Sequence, residues 1–206
     1  MAIEAVVLDI GNVLIEWQPE RFYDSVIGEA ARKRLFDTID LHAMNDDIDR
    51  GGAFRPAVEA MAARHPDHAD AIMMWHDRWT EMAAPAIPRS VRLQRALRAK
   101  GVPVFALTNF GRETFAIAEP IYPFLSDFDR RYISGHLGVV KPDPQIYQIV
   151  ESDSGVSPSR LLFADDRAEN ITAARARGWQ THLFTSDQGW ADRLVAEGLL
   201  TESEAA

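Results

Sequence analysis

Four places along this chain end a predicted strand, or open a predicted helix, with a group able to do chemistry. Asp9 closes the apolar run Ala5-Val6-Val7-Leu8 and is followed by Ile10-Gly11-Asn12. Such a run reads as a strand buried on both faces, and a carboxylate at its tip can attack an electrophile to form a covalent intermediate. Thr108-Asn109 closes a second run, Pro103-Val104-Phe105-Ala106-Leu107. A hydroxyl and nearby backbone N–H groups suit a phosphoryl or carboxylate oxygen, although the same pair also serves as an ordinary turn or helix cap. Lys141 stands next to Pro142 at a helix start. Lysine is ordinarily a solvated surface charge; beside a nucleophile it would neutralise charge shared with a transferring group, most effectively where water is scarce. Asp165-Asp166 ends the run Arg160-Leu161-Leu162-Phe163-Ala164. Adjacent carboxylates raise one another's pKa unless a cation joins them. Magnesium suits that pair, since it takes oxygen ligands and keeps several waters. Asn170, one helical turn on, is placed to hold metal waters or a ligand carboxylate, or to make an ordinary helix-surface hydrogen bond.

These groups can meet only if the intervening elements deliver them to one edge. A helix through Val91 and Leu97 stops at Lys100-Gly101, where glycine is the usual terminator. Strand Pro103–Thr108, a helix from about Arg112 and a short strand Asp129–Ser134 follow. A helix opening at Lys141-Pro142-Asp143-Pro144 precedes strand Arg160–Asp166, a helix to Arg177-Gly178 and strand Gln180–Phe184. This alternation predicts an α/β fold, a parallel sheet with helices on both faces. Such sheets bind ligands outside the carboxyl ends of their strands. Between Pro19 and about Met82 only helices are predicted: Glu20–Ile27, Glu29–Phe36, Phe54–Arg64, and one from Pro66 to about Met82. Asn45 to Gly52 reads as a polar, turn-rich interruption. The block looks like a small helical bundle inserted after the first strand, and the tail Thr201 to Ala206 is expected to fray.

Composition narrows the function. At 206 residues and 47% hydrophobic, the chain suits one domain or a domain carrying an insertion. It has no cysteine, which excludes disulfides and thiolate metal sites, fits a reducing compartment and leaves oxygen ligands for any metal. A net charge of -9 without a compensating basic run argues against nucleic acid. No apolar stretch reaches the ~18 residues of a membrane span and no signal-peptide pattern precedes the first strand, so a cytoplasmic protein is expected. An anionic small molecule stays compatible with the charge, because a metal ion and one lysine reverse the sign locally.

The order Asp9, Thr108, Lys141, Asp165-Asp166 resembles the four motifs of the haloacid dehalogenase superfamily. Asp9-Ile10-Gly11-Asn12-Val13 looks like its first motif, and Gly138-Val139-Val140-Lys141-Pro142-Asp143-Pro144-Gln145-Ile146-Tyr147 is a close match to its third. The likeness covers residues 1–14 and about 85–200, and the helical block sits where that superfamily's first type of cap is inserted. It implies a Rossmann-like core of residues 1–14 and 85–206 with a mobile helical cap of residues 15–84. It also implies a magnesium-dependent phosphatase, monomeric or homodimeric, acting on a small phosphorylated metabolite. Carried onto this chain, Asp9 is nucleophile and magnesium ligand, and Thr108 with Asn109 holds the phosphoryl group. Lys141 stabilises nucleophile and phosphoryl charge, Asp166 binds the metal directly, and Asp165 is ligand or water partner.

One departure stands out. Phosphatases of the superfamily usually carry a second aspartate two residues after the nucleophile, as general acid and base, and here that position is Gly11. Its carbonyl can still ligate magnesium. General acid–base help is worth roughly 10²–10⁴-fold, so slow turnover or a need for good leaving groups is expected. The Asp-x-Gly-Asn-Val form resembles a branch that includes sugar-1-phosphate phosphatases. Two other readings remain. A 2-haloacid dehalogenase also lacks the second aspartate, expels halide unprotonated and uses no metal; Thr108, Asn109, Lys141 and Tyr147 fit that chemistry too, whereas the Asp165-Asp166 pair would repel its anionic substrate. A metal- or phosphate-binding module with little turnover is the third. In the helical block Trp17, Arg21, Asp46, Trp75, His76 and Trp79 are candidates for the substrate side, with Trp75 and Trp79 better suited to a bundle core and Arg21 to a solvated face. His42, His65, His68, His136 and His182 show no metal-ligand spacing.

Overall fold

The first strand, β1 (Ala5–Leu8), sends Ala5 and Val7 into one apolar cluster and Val6 and Leu8 into another. That alternation is what burial on both faces of a sheet requires. In the computed structural model, which describes residues 2–206, β1 is joined by β2 (Val104–Thr108), β3 (Arg130–Ile133), β4 (Leu161–Asp165) and β5 (Gln180–Leu183) in one sheet of order β3-β2-β1-β4-β5. Every pairing is parallel. Leu8 lies opposite Ala106 on one side and Ala164 on the other, so the residues after these three strands emerge at the same edge. The order reverses at β1, which opens the crevice where such sheets hold ligands.

Helices cover both faces. On one, α7 (Pro88–Ala99), α8 (Arg112–Ile121) and α12 (Asp187–Ala196) contribute Leu93, Phe115 and Trp190 to the first cluster. On the other, α10 (Pro144–Ser154) and α11 (Ala168–Ala176) contribute Tyr147 and Ile171 to the second. The four-residue α9 (Ser134–Leu137) continues directly from β3. Neither α9 nor α12 is anticipated by the sequence pattern. The α/β class and the doubly covered parallel sheet are as expected.

The segment between β1 and α7 is helical: α1 (Pro19–Ile27), α2 (Glu29–Thr38), α3 (Leu41–Asp49), α4 (Phe54–Arg64), α5 (Ala69–Asp77) and α6 (Trp79–Met82). Two expectations are corrected here. The polar stretch from Asn45 is not a turn until after Asp49, because Leu41, Met44 and Ile48 form a buried helical stripe that overrides the weak propensity of Asn and Asp. Asp40 caps that helix by accepting from the Ala43 N–H at 2.8 Å. The single helix expected from Pro66 to Met82 is a 3-10 turn followed by two helices, with the break at Arg78. Trp75 and Trp79, on either side of the break, both pack on Trp17 at centroid distances of 5.8 and 6.0 Å.

The segments entering and leaving this helical part run side by side. Gln18 N–H donates to Met82 O, Glu16 N–H to Pro85 O and Ile87 N–H to Leu14 O, at 2.8–2.9 Å. The chain's end is also ordered, against expectation: Leu200 and Ala205 are buried, Arg89 donates to Ala205 O at 2.8 Å, and Lys100 pairs with Glu204. Burial of two apolar side chains is what holds it. Among the described residues no helix is long and apolar enough to cross a membrane.

Candidate active site

Asp9 continues the β1 ladder by donating its N–H to Ala164 O at 3.0 Å, and its Oδ1 accepts from the Ile10 N–H at 2.7 Å. Its Oδ2 lies 2.9 Å from Lys141 Nζ, which also lies 2.6 Å from Asp165 Oδ2. Lys141 is 3% exposed and Asp165 is fully buried, so this is an ion cluster inside the protein. The lysine is delivered by a clasp from the end of β2. Asn109 donates Nδ2–H to Lys141 O at 3.0 Å and accepts Lys141 N–H on Oδ1 at 2.7 Å. With both ends of its amide on one backbone unit, Asn109 fixes where the ammonium sits.

The carboxylates at the end of β4 are held in different ways. Asp165 accepts from Asn170 Nδ2 at 3.0 Å on each oxygen and from the Arg167 N–H at 2.8 Å. Asn170 is itself buried and so supports the carboxylate rather than the helix surface. Asp166 accepts from Asn12 Nδ2 at 3.0 Å, while Asn12 Oδ1 receives the Trp17 N–H at 3.0 Å and Gln18 Nε2 at 3.3 Å. Asn12 has φ +54°, a left-handed conformation that asparagine tolerates better than most residues.

A cavity of about 270 Å³ opens over these groups. Asp9, Gly11, Asn109, Lys141, Asp166 and Asn170 form its floor. Trp17, His42, Asp46, Asp49 and Trp79 reach it from the helical segment, and Ile15, Ala83 and Phe110 complete an apolar wall. Of the sequence candidates, Thr108 and Asp165 are buried at the strand ends and do not line the cavity. Trp75 is bundle core, donating Nε1–H to Asn45 Oδ1 at 3.3 Å. Arg21 pairs with Glu16 on the surface, and His76 sits beside Asp77 and against Phe54. The Tyr147 hydroxyl donates to Asn170 O at 3.1 Å, so it supports the site from behind.

Asn12 and Asp49 are site residues that carry no role in the sequence reading. Asn12 is legible only as part of the first motif, yet it anchors Asp166. Asp49 falls in the stretch read as a turn. The signal that could have found it is the Leu41, Met44, Ile48 spacing, which extends a helix through Asp49 and places Asn45 and Asp49 four residues apart on one face. Asn45 does donate to Asp49 Oδ2, at 2.9 Å.

Burial dominates the electrostatics. It pushes Asp9 up to about 7, with Asp165 and Asp166 adding to the rise and Lys141 opposing it. It also raises Asp166, where the Asn12 hydrogen bond opposes it. Burial opposes the charge of Lys141, but Asp165 and Asp9 outweigh it and its pKa is raised. Asp49 is pushed up to about 7 by burial and then by Asp46, partly offset by the Gly111 N–H. The donor set fits a divalent cation. Asp9, Asp165 and Asp166 each offer an oxygen within 4.8 Å of the others, and three carboxylates against one ammonium leave two negative charges. Oxygen-only ligands and that residual charge match magnesium.

The raised carboxyls predict how stability depends on pH. Between about pH 4 and 7 the folded protein binds more protons at Asp9 and Asp49 than the unfolded chain does. Stability therefore falls as pH rises through that window. Carboxylates held low, such as Glu204 at about 2, have already made their contribution above it. In chelator, the melting temperature is expected to be higher at pH 5 than at pH 7.5, and the opposite order would contradict these shifts.

Residues 3–178 match the family of haloacid dehalogenase-like hydrolases. Among characterised relatives, a D-ribitol-5-phosphate phosphatase from Bacteroides thetaiotaomicron is 37% identical over 72 residues, 34% of this chain and 35% of the relative. A sesquiterpene phosphatase from Aspergillus oryzae is 32% identical over 90 residues, 44% of this chain and 46% of the relative. The matched region thus spans less than half the length of either. Among solved structures, an enzyme of the same family from B. thetaiotaomicron superposes with a TM-score of 0.74 at 22% identity, covering 94% of this chain and 99% of that one. Its wild-type complex with magnesium and inorganic phosphate gives a TM-score of 0.64 at 22% identity, covering 88% and 93%. L-2-haloacid dehalogenase from Xanthobacter autotrophicus, with chloropropionic acid covalently bound, gives 0.62 at 18% identity, covering 98% and 86%. At these identities the structural likeness is one of fold, and it embraces both chemistries.

Proposed function

This chain belongs to the haloacid dehalogenase-like hydrolases, and from that premise we propose that it is a magnesium-dependent phosphomonoester hydrolase acting through an aspartyl-phosphate on Asp9. The observation that carries the reading is the acidic cluster. Asp9, Asp165 and Asp166 converge around a single lysine, an excess of negative charge that makes sense for a cation and a phosphoryl group, and none for a metal-free haloacid site. Residues 1–14 and 85–206 would act as the core and residues 15–84 as the cap over it.

In this reading Asp9, Asp165, Asp166 and the Gly11 carbonyl hold magnesium, which supplies charge neutralisation for the bound phosphoryl oxygens. Lys141, fixed by Asn109, opposes the burial that raises the Asp9 pKa and offsets charge as the phosphoryl group moves onto it. Asn12 and Asn170 keep Asp166 and Asp165 from turning away. Thr108, buried beside Asn109 and outside the cavity lining, would have to be uncovered for its hydroxyl to hold a phosphoryl oxygen. Trp17, Trp79 and Phe110 offer flat apolar faces to the rest of a small phosphorylated metabolite, which suits the faces of a sugar ring as well as hydrocarbon. The likeness to a sugar-phosphate phosphatase favours a sugar phosphate.

The test is phosphate release from a phosphomonoester panel with magnesium and with chelator, beside chloride release from 2-chloropropionate. Phosphate release that needs magnesium, without chloride release, is expected. Magnesium-independent chloride release with inert phosphoesters would replace this reading with the dehalogenase one.

A further inference from the structure

Position 11 lacks the carboxylate that would protonate a leaving group, yet a different carboxyl reaches the same cavity from the helical segment. Asp49 is the last residue of α3, and it is buried. A helix C-terminus carries partial negative charge and disfavours a carboxylate, and Asp46 and Asp47 lie in the same turn. Among the described residues no cationic side chain forms an ion pair with Asp49: Asn45 Nδ2 and the Gly111 N–H are its neutral donors. A buried acid set at a helix C-terminus beside further acids is the pattern of a functional site.

Its position is also fixed. Ser134 Oγ–H donates to Asp49 O at 2.6 Å, tying the end of α3 to the start of α9. A Cβ at Gly111 would come within 2.7 Å of Ile48 Cγ2, so only glycine lets α3 approach this closely. Asp49 shares the cavity with Asp9 and Lys141, and the charge of each is felt at its carboxyl. The charged groups around it are Asp46 on its own helix and Asp9 and Lys141 from the core, with Arg112 and Glu113 at the start of α8 behind Gly111.

We infer that Asp49 is the general acid and base of this hydrolase, supplied across the cavity in place of the carboxylate missing at Gly11. The inference rests on the phosphatase reading above. In the first step a bond forms between an Asp9 oxygen and phosphorus as the ester P–O bond breaks. The Asp49 carboxyl gives its proton to the departing alkoxide, releasing an alcohol. In the second, the Asp49 carboxylate takes a proton from water as its oxygen attacks phosphorus. The Asp9–phosphorus bond breaks, and inorganic phosphate, the Asp9 carboxylate and protonated Asp49 are restored. The carboxyl pushed up to about 7 can serve in both directions near neutral pH.

The test compares two esters with the magnesium-loaded enzyme. p-Nitrophenyl phosphate loses a group that needs little protonation, whereas phenyl phosphate loses a phenol with a pKa of about 10. For Asp49→Asn, kcat/KM on phenyl phosphate is expected to fall roughly 10²-fold or more, and on p-nitrophenyl phosphate less than about tenfold. p-Nitrophenol should then appear in a burst, because the covalent phosphoryl group awaits an unactivated water. Asp49→Ser gives the same comparison should the amide disturb folding. A Cβ at Gly11 meets only Trp17 Cβ, at 3.9 Å, so Gly11→Asp can be added to Asp49→Asn and should restore phenyl phosphate hydrolysis. Equal losses on both esters in both variants, or no loss, would overturn the role of Asp49 and leave the phosphatase reading standing. A wild-type enzyme that releases phosphate from no member of the phosphomonoester panel would overturn both.

Discussion

Asp9→Asn is expected to stop phosphate release while leaving the fold as stable as before or more so. The amide cannot attack phosphorus, and loss of a nucleophile costs roughly 10⁴-fold or more in turnover. Stability should move the other way. Asp9 is buried, with its pKa pushed up to about 7 chiefly by that burial and then by Asp165 and Asp166. Its ionised form is therefore a burden on the metal-free fold at pH 7.5, and a neutral isostere removes it. The amide keeps one oxygen, which can face the Ile10 N–H or Lys141 but not both, so part of that gain is offset. Steady-state assays and melting curves in chelator check both halves. Substantial retained turnover would take Asp9 out of the chemistry, and a large drop in melting temperature would mean that the Asp9–Lys141 pair is needed to fold.

The second large effect is expected at Lys141. Lys141→Met keeps much of the aliphatic stem but strips the cluster of its only ammonium, leaving Asp9 and Asp165 buried without the partner that lies 2.9 and 2.6 Å away. Breaking a buried pair from one side costs about 3–5 kcal/mol, which for a chain of this size corresponds to roughly 6–20 °C in melting temperature. The loss should be greatest above pH 7 and smaller at pH 5, where the orphaned carboxyls can take up protons, and magnesium should recover part of it. Turnover should fall along with it, because the Lys141 charge no longer opposes the rise in the nucleophile's pKa. Melting curves at pH 5 and pH 8, with chelator or magnesium, distinguish this from simple loss of packing, which would depend on neither.

The parts of the site that sit at strand ends were legible because apolar runs stop abruptly there. Asp9, Thr108 and Asp165 each close such a run, and parallel pairing with a common register brings their ends to one edge. Lys141 was legible from its local sequence. What local pattern could not reveal is which distant groups hold these in place. Asn12 reaches Asp166 across 154 positions and Asn109 clasps Lys141 across 32, contacts that only the assembled sheet creates. Asp49 was hidden for a different reason. Its neighbours Asn45, Asp46 and Asp47 have the composition of a turn, and the apolar stripe that makes them helical has only three members, Leu41, Met44 and Ile48. The ordered tail was missed because its anchors, Leu200 and Ala205, are small in number and far from Arg89 in sequence.

The left-handed Asn12 narrows what mutation can explore at the mouth of this cavity. An ordinary L-residue pays about 1–2 kcal/mol to adopt that backbone, so alanine or serine there would be strained and would also lose the carboxamide. Glycine relaxes the backbone but frees Asp166 from its Nδ2–H donor and the Trp17 N–H from its acceptor. Aspartate tolerates the conformation yet sets a further negative charge against Asp166. Each of these four replacements thus gives up either conformation, anchoring or charge balance. Position 12 is constrained by backbone, anchoring and charge at once, whereas Gly11 beside it has room for a side chain.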